Sequence, residues 1–147
     1  MAYIHAMSAY KNAGITTASG GQLTIMLYDA TVRHLDNALE LLLAHMNGKR
    51  EPGKIEKISH SLLKAQEIIA ELVTTLDMEQ GGDIAKNLLA LYRWFHSELL
   101  EANISQDSQR VTVVRNLMSE LRDAWNDIVS RTAAVPGNNT QGISIAG

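Results

Sequence analysis

Apolar residues recur along this chain in steps of three and four, the signature of one-sided helices. The first run is Leu23, Met26, Leu27, Ala30, His34 or Leu35, Ala38 and Leu42. Ser19 is a good N-cap ahead of Gly20-Gly21-Gln22, and Asn47-Gly48 supplies a C-terminal stop, so a helix is predicted over about 19–47. A second run, Ile55, Ile58, Leu62, Ala65, Ile69, Leu72 and Leu76, begins after Pro52-Gly53 and predicts a helix over 53–77. Its regular alternation is a heptad-like seam suited to packing at roughly +20°. Gly81-Gly82 breaks the pattern. Asp83 is then placed to cap a third helix over 82–103, with Ile84, Leu88, Leu91, Phe95, Leu99 and Ala102 on its stripe. The fourth, over 107–134, starts near Asp107 or Ser108 and carries Val111, Val114, Leu117 or Met118, Leu121, Ala124 or Trp125, and Ile128.

The joints at 47–53, 78–82 and 103–107 are short. Short joints make consecutive helices antiparallel neighbours, so the expected fold is an all-α, up-down-up-down four-helix bundle spanning 19–134. Residues 1–18 form a short N-terminal arm or helix in this scheme. Residues 135–147, rich in Gly, Asn and Thr with few groups able to pack, are expected to be a disordered tail.

Composition narrows the function classes. At 147 residues and 16.1 kDa the chain is one domain, with 46% hydrophobic and 20% charged residues. The formal charge is −3 and the cations form no basic block, which disfavours a nucleic-acid partner. Absence of cysteine excludes disulfides, thiolate chemistry and Cys-ligated metals. The first residues carry no basic stretch followed by an apolar run, and a purely apolar stretch such as Leu41–Ala44 is far short of a membrane span. Neither a secretion signal nor membrane insertion is expected, and the cytoplasm is the simplest location.

Candidate chemistry is sparse. A di-iron bundle needs Glu-x-x-His pairs, but Lys57 precedes His60 and Arg93 precedes His96 at that spacing. Glu56 and His60 share a helical face, as a solvated surface pair does. Asp123 with Asp127, Glu67 with Glu71 and Asp36 with Glu40 also fit solvated faces. Gly20-Gly21 and Gly81-Gly82 lack the Lys-Ser/Thr sequel of a phosphate loop. No metal, no cofactor and no enzymatic activity are expected.

Beside the core stripes lies a second apolar set: Leu39, Leu43, Leu63, Ile68, Val73, Leu89, Tyr92, Trp94, Leu100 and Val113. A residue one place off a helical seam is rotated by about 100° from it. These positions either widen the core or form a groove for an amphipathic partner helix.

Several segments read together. Tyr10-Lys11-Asn12, Ile15–Leu23 and Met26-Leu27-Tyr28-Asp29-Ala30 resemble the opening of the flagellin-specific export chaperone family, FliS. Lys64–Leu72, Gly81–Leu88 with Leu91-Tyr92, Glu101-Ala102-Asn103 and Leu121–Trp125 complete the resemblance, which runs in order from about Ala9 to Ile128. It implies an antiparallel bundle that binds the C-terminal segment of newly made flagellin in the cytoplasm. Such a chaperone prevents premature polymerisation and assists delivery to the flagellar export gate, without nucleotide or metal. It also implies that the first 18 residues can lie over part of the flagellin groove, with Tyr10 matching the family's tyrosine. One departure is Gly20, where the family usually has proline at the first helical position; a looser helix start is expected.

On this reading the flagellin contacts are Tyr10, Ile68, Val73, Leu89, Tyr92 and Val113. Met26, Leu27, Ile69, Leu88, Leu91 and Leu121 are assigned to the core. Tyr28 and Trp125 are expected to pack with their polar tips hydrogen-bonded at the surface, and Asn87 and Asn103 to cap or brace a helix end. The rival classes are a structural bundle that self-associates weakly through the second stripe and a ferritin-type bundle enzyme.

Overall fold

A computed structural model describes residues 20–48 and 51–133. They form α1 (Gly20–Met46), α2 (Lys54–Thr74), α3 (Gly82–Ser105) and α4 (Ser108–Ala133), with no strand among the described residues. The expected arm (1–18), with Tyr10, the capping Ser19 and the expected tail (135–147) lie outside the described residues.

Polar rungs between helices fix their directions. Arg122 reaches Asp29 at 3.4 Å and Arg115 reaches Asp36 at 2.8 Å, so a step of seven up α1 is a step of seven down α4. Asn103 Nδ2 donates to Ser59 Oγ at 3.1 Å, and Gln66 Nε2 donates to the His96 carbonyl at 3.1 Å, giving α2 and α3 the same antiparallel register. Asn37 Nδ2 donates to Ser61 Oγ at 2.6 Å and ties α1 to α2. Helix α1 packs extensively on α2 and α4; α3 touches the same two helices from the other side, and less closely. The result is an antiparallel four-helix bundle in which α1 and α3 face each other across the core.

That core joins Leu27, Leu35 and Leu42 of α1 to Ile58, Leu62, Ile69 and Leu72 of α2, Phe95 and Leu99 of α3, and Val111, Val114 and Met118 of α4. Burying each such side chain stabilises the fold by roughly 1.5–3 kcal/mol before entropy is counted.

Helix ends follow local chemistry. Helix α1 stops where Gly48 takes φ 92° and donates to the His45 carbonyl, a conformation open to glycine. Helix α2 ends at Thr74, three residues short of the expected 77, where the chain tightens: Thr75 N donates to Leu72 O and Leu76 N to Val73 O, and two hydroxyls add to the same turn. Thr74 Oγ1 donates to Glu71 O, and Thr75 Oγ1 to Leu72 O, both at 2.7 Å. Asp77 Oδ1 then accepts from the Glu79 and Gln80 amides and folds the turn. Gly81, rather than the expected Asp83, stands at the N-cap of α3. A Cβ there would meet Asp77 O at 2.5 Å and Ala85 Cβ at 2.6 Å, so the corner between α2 and α3 closes only on glycine. At the next corner Asp107 Oδ1 accepts from the Gln109 and Arg110 amides, a side-chain N-cap for α4.

The stripe of α1 is displaced from the expected one. Met26 faces outward, 44% exposed, and Leu23 and Ala30 are half-buried, while Thr24, Tyr28 and Thr31 turn inward. Each threonine hydroxyl donates to the carbonyl four residues back, Thr24 to Gly20 and Thr31 to Leu27, leaving its methyl to pack. Ile55 and Ile84, assigned to the stripes, are exposed in the first turns of α2 and α3. Ala124 and Ile128 of α4 are exposed as well, whereas Leu88, Leu91, Leu117, Leu121 and Trp125 pack half-buried against the core.

Candidate functional site

The register set by Ser59–Asn103 and Gln66–His96 continues by one more step of seven to Val73 and Leu89. Along this seam the rungs change from polar to apolar. Between the last two, α2 presents the small side chain of Ala70. Too little bulk stands there to fill the space against α3, and a groove of about 250 Å³ opens. Ile69, Ala70 and Val73 line it from α2; Tyr92, Arg93 and His96 line it from α3. Ile69 and Tyr92 are buried in the bundle and form its floor, while Ala70, Arg93 and His96 are exposed at its mouth. Farther along the same seam, toward the start of α2 and the end of α3, Leu63 and Leu100 stand half in solvent, prolonging the apolar strip.

The floor is held rigidly from behind. Tyr28, at 0% exposure, shares a hydrogen bond between its hydroxyl and that of Tyr92, across the diagonal of the bundle. Trp125 Nε1 donates to the Tyr28 hydroxyl at 3.1 Å, drawing α4 into the same network. The polar tip of Tyr28 is therefore inside the protein, not at the surface, where the indole and the second phenol replace water. Burial pushes both phenols above their ordinary value of 10.0, more than the hydrogen bonds from Tyr92 and Trp125 pull Tyr28 down. Both stay neutral, and the network holds shape rather than moving protons.

The expected contact residues separate. Val73 and Tyr92 line the groove and half-buried Leu89 flanks it. Ile68 is fully buried on the flank of α2 that meets α1, away from the groove, and Val113 is 47% exposed on α4. Tyr10 lies outside the described residues. Asn103 braces the end of α3 through Ser59, and Asn87 is exposed. Ala70, Arg93 and His96 were not singled out from the sequence as lining residues. The available signal was an alanine between Gln66 and Val73 on the seam, where a larger residue would have closed the wall.

Among the described residues no three His, Asp or Glu side chains gather as a metal site would require. No described helix is long and apolar enough to cross a membrane. What the geometry offers is an apolar groove on a helical bundle, the equipment of a protein that binds another chain.

Comparison with known proteins carries that class further. The family described as flagellar protein FliS matches residues 3–132, and the chain belongs to it. It is 29% identical to the flagellar secretion chaperone FliS of Bacillus subtilis (strain 168) over 88% of this chain and 90% of that one. Against the flagellar secretion chaperone FliS of Salmonella typhimurium the identity is 35%, over 79% and 81% of the two chains. For that of Escherichia coli (strain K12) it is 34%, over 78% and 79%. The family is one of flagellar export chaperones, not of enzymes, and its work is to bind a partner bound for export.

Proposed function

We propose that this protein binds the C-terminal segment of newly made flagellin in the cytoplasm, prevents its premature polymerisation and assists its delivery to the flagellar type III export apparatus. The observation that carries the reading is the groove beside α3, with a floor fixed by Tyr28 and Trp125 and an apolar continuation through Leu63 and Leu100. An amphipathic helix laid along that seam buries its apolar face, and affinity comes from area removed from water without covalent chemistry. Flagellin's segment loses conformational freedom on docking, so the whole strip, not the cavity alone, is needed for useful binding.

The test is calorimetric titration of the full chain with a peptide of about 40 residues from the C-terminus of the cognate flagellin. A one-to-one complex with a strongly negative heat-capacity change is expected. Leu89→Glu places a charge beside the groove and abolishes binding while the circular-dichroism spectrum stays helical. Val113→Glu on α4 does the same if the peptide reaches around α3. Absence of heat and of co-elution with the unmodified protein rejects flagellin as the partner, and sedimentation of the free protein at rising concentration then tests self-association.

A further inference from the structure

The groove is apolar at its floor but one-signed at its rim. Arg110, Arg115, Arg122 and Arg131 each meet a carboxylate, at 2.7, 2.8, 3.4 and 2.9 Å respectively. Arg93, at the groove mouth, meets none among the described residues. No described Asp or Glu is among the groove-lining residues, whereas Arg93 and His96 both are. Lys86 stands seven residues before Arg93 and so on the same face of α3, and it is exposed. Of the acids nearby, Glu67, three residues before Ala70 on α2, pairs with Lys64 at 3.6 Å, and Asp77 lies in the turn beyond α2. Its Oδ1 is already engaged by the Glu79 and Gln80 amides in the turn. A protein of formal charge −3 thus sets positive charge, with no carboxylate partner among the described residues, along the α3 lip of this apolar groove.

We infer that Arg93 is a specificity-determining residue that reads acidic side chains on the partner. The occupant is an amphipathic helix of the export substrate whose apolar face enters the groove and whose flank toward α3 carries Asp or Glu. This rests on the reading of the groove as the substrate site, and adds which edge of the substrate helix faces α3. A guanidinium suits this role, because its planar fork can take a carboxylate in a bidentate pair while its stem covers apolar surface beside Ala70. Complementary charge at a groove rim fixes the orientation and register of the bound helix more than it adds affinity.

The experiment titrates the full-length chain with the flagellin C-terminal peptide at low and high salt, using Arg93→Ala, Arg93→Glu and the control Arg33→Glu. Arg33 also has no carboxylate partner among the described residues but sits on α1, so its reversal changes net charge equally, away from the groove. Arg93→Ala is expected to weaken binding about three- to fivefold and to flatten its salt dependence; Arg93→Glu weakens it by more than roughly tenfold. Arg33→Glu leaves it unchanged. A peptide with its acidic residues changed to Lys recovers affinity toward Arg93→Glu and loses it toward the unmodified protein. Thermal melting verifies that each variant is folded, as expected for exposed positions. Binding by Arg93→Glu within about twofold of the unmodified protein overturns the inference while leaving the groove as the substrate site, and so does equal weakening by Arg33→Glu. Failure of the unmodified protein to bind the peptide overturns the substrate reading and this inference together.

Discussion

Helices α1 and α3 face each other across the same core, yet they are held in opposite ways. Helix α1 is gripped on both flanks, by Asp36–Arg115 and Asp29–Arg122 toward α4 and by Asn37–Ser61 toward α2. Two of its threonines pack inward. Helix α3 buries Ala85, Tyr92, Phe95, Leu99 and Ala102, but leaves Trp94, Leu100 and Ile104 well exposed. Both helices are rich in leucine, yet α1 also encloses Thr24 and Thr31, whereas α3 leaves large apolar side chains in solvent. Burial follows how closely the neighbours approach and whether polar groups are satisfied, not apolar content alone. The loosely enclosed helix is the one with surface to offer a partner.

The sharpest way to break this comparison is to truncate both helices. Leu35→Ala in α1 is expected to cost about 2–5 kcal/mol by urea denaturation, and Leu100→Ala in α3 less than about 1 kcal/mol. Equal losses would mean that α3 is as enclosed as α1. Next in size is Tyr28→Phe, which removes the one hydroxyl joining α1 to both α3 and α4. It strands the Trp125 N–H and the Tyr92 hydroxyl, at about 1–3 kcal/mol by the same denaturation. Filling the groove is a subtler change. Ala70→Leu is expected to leave the melting temperature within a few degrees and to weaken peptide binding about tenfold, read by calorimetry.

The smallest effect concerns acid. His34 on α1 is held below its ordinary value of 6.5, first by burial, then by Arg33 beside it and by Lys64 and His60 of α2; Glu67 of α2 opposes. The folded protein therefore binds this proton less readily than the unfolded chain. Stability from His34 is present above 6.5 and is lost as pH falls from there through the lower folded value. His34→Gln should flatten that part of a stability-against-pH curve; an unchanged slope would place the proton elsewhere.

Much of this was legible from residue spacing, and the exceptions have physical causes. The four helical runs and their antiparallel order follow from steps of three and four and from short corners. The inward threonines escaped because periodicity treats a hydroxyl as polar, whereas Thr24 and Thr31 satisfy theirs on their own helix. Tyr28 escaped for the same reason: its hydroxyl is matched by two partners distant in sequence. Ile55 and Ile84 satisfy the helical period, but they occupy first turns where the flanking helices do not cover them. At the groove, Val73 and Tyr92 were identifiable as apolar residues off the seam. Ala70 was not, because a cavity arises from what a side chain lacks. Ile68 obeys the same off-seam rule and is instead sealed against α1, since spacing cannot tell which flank a neighbour covers.

The hydrogen-bonded chain from Tyr92 through Tyr28 to Trp125 also makes the molecule its own optical gauge. One end of the chain is the floor of the groove and the other is an indole, whose emission responds to the hydrogen bond its N–H makes. In a Trp94→Phe background, with Trp125 as the sole fluorophore of its kind, a helix settling onto Tyr92 registers as a change in emission on the far side of the bundle. The arrival and departure of cargo can then be timed without attaching a dye to either protein.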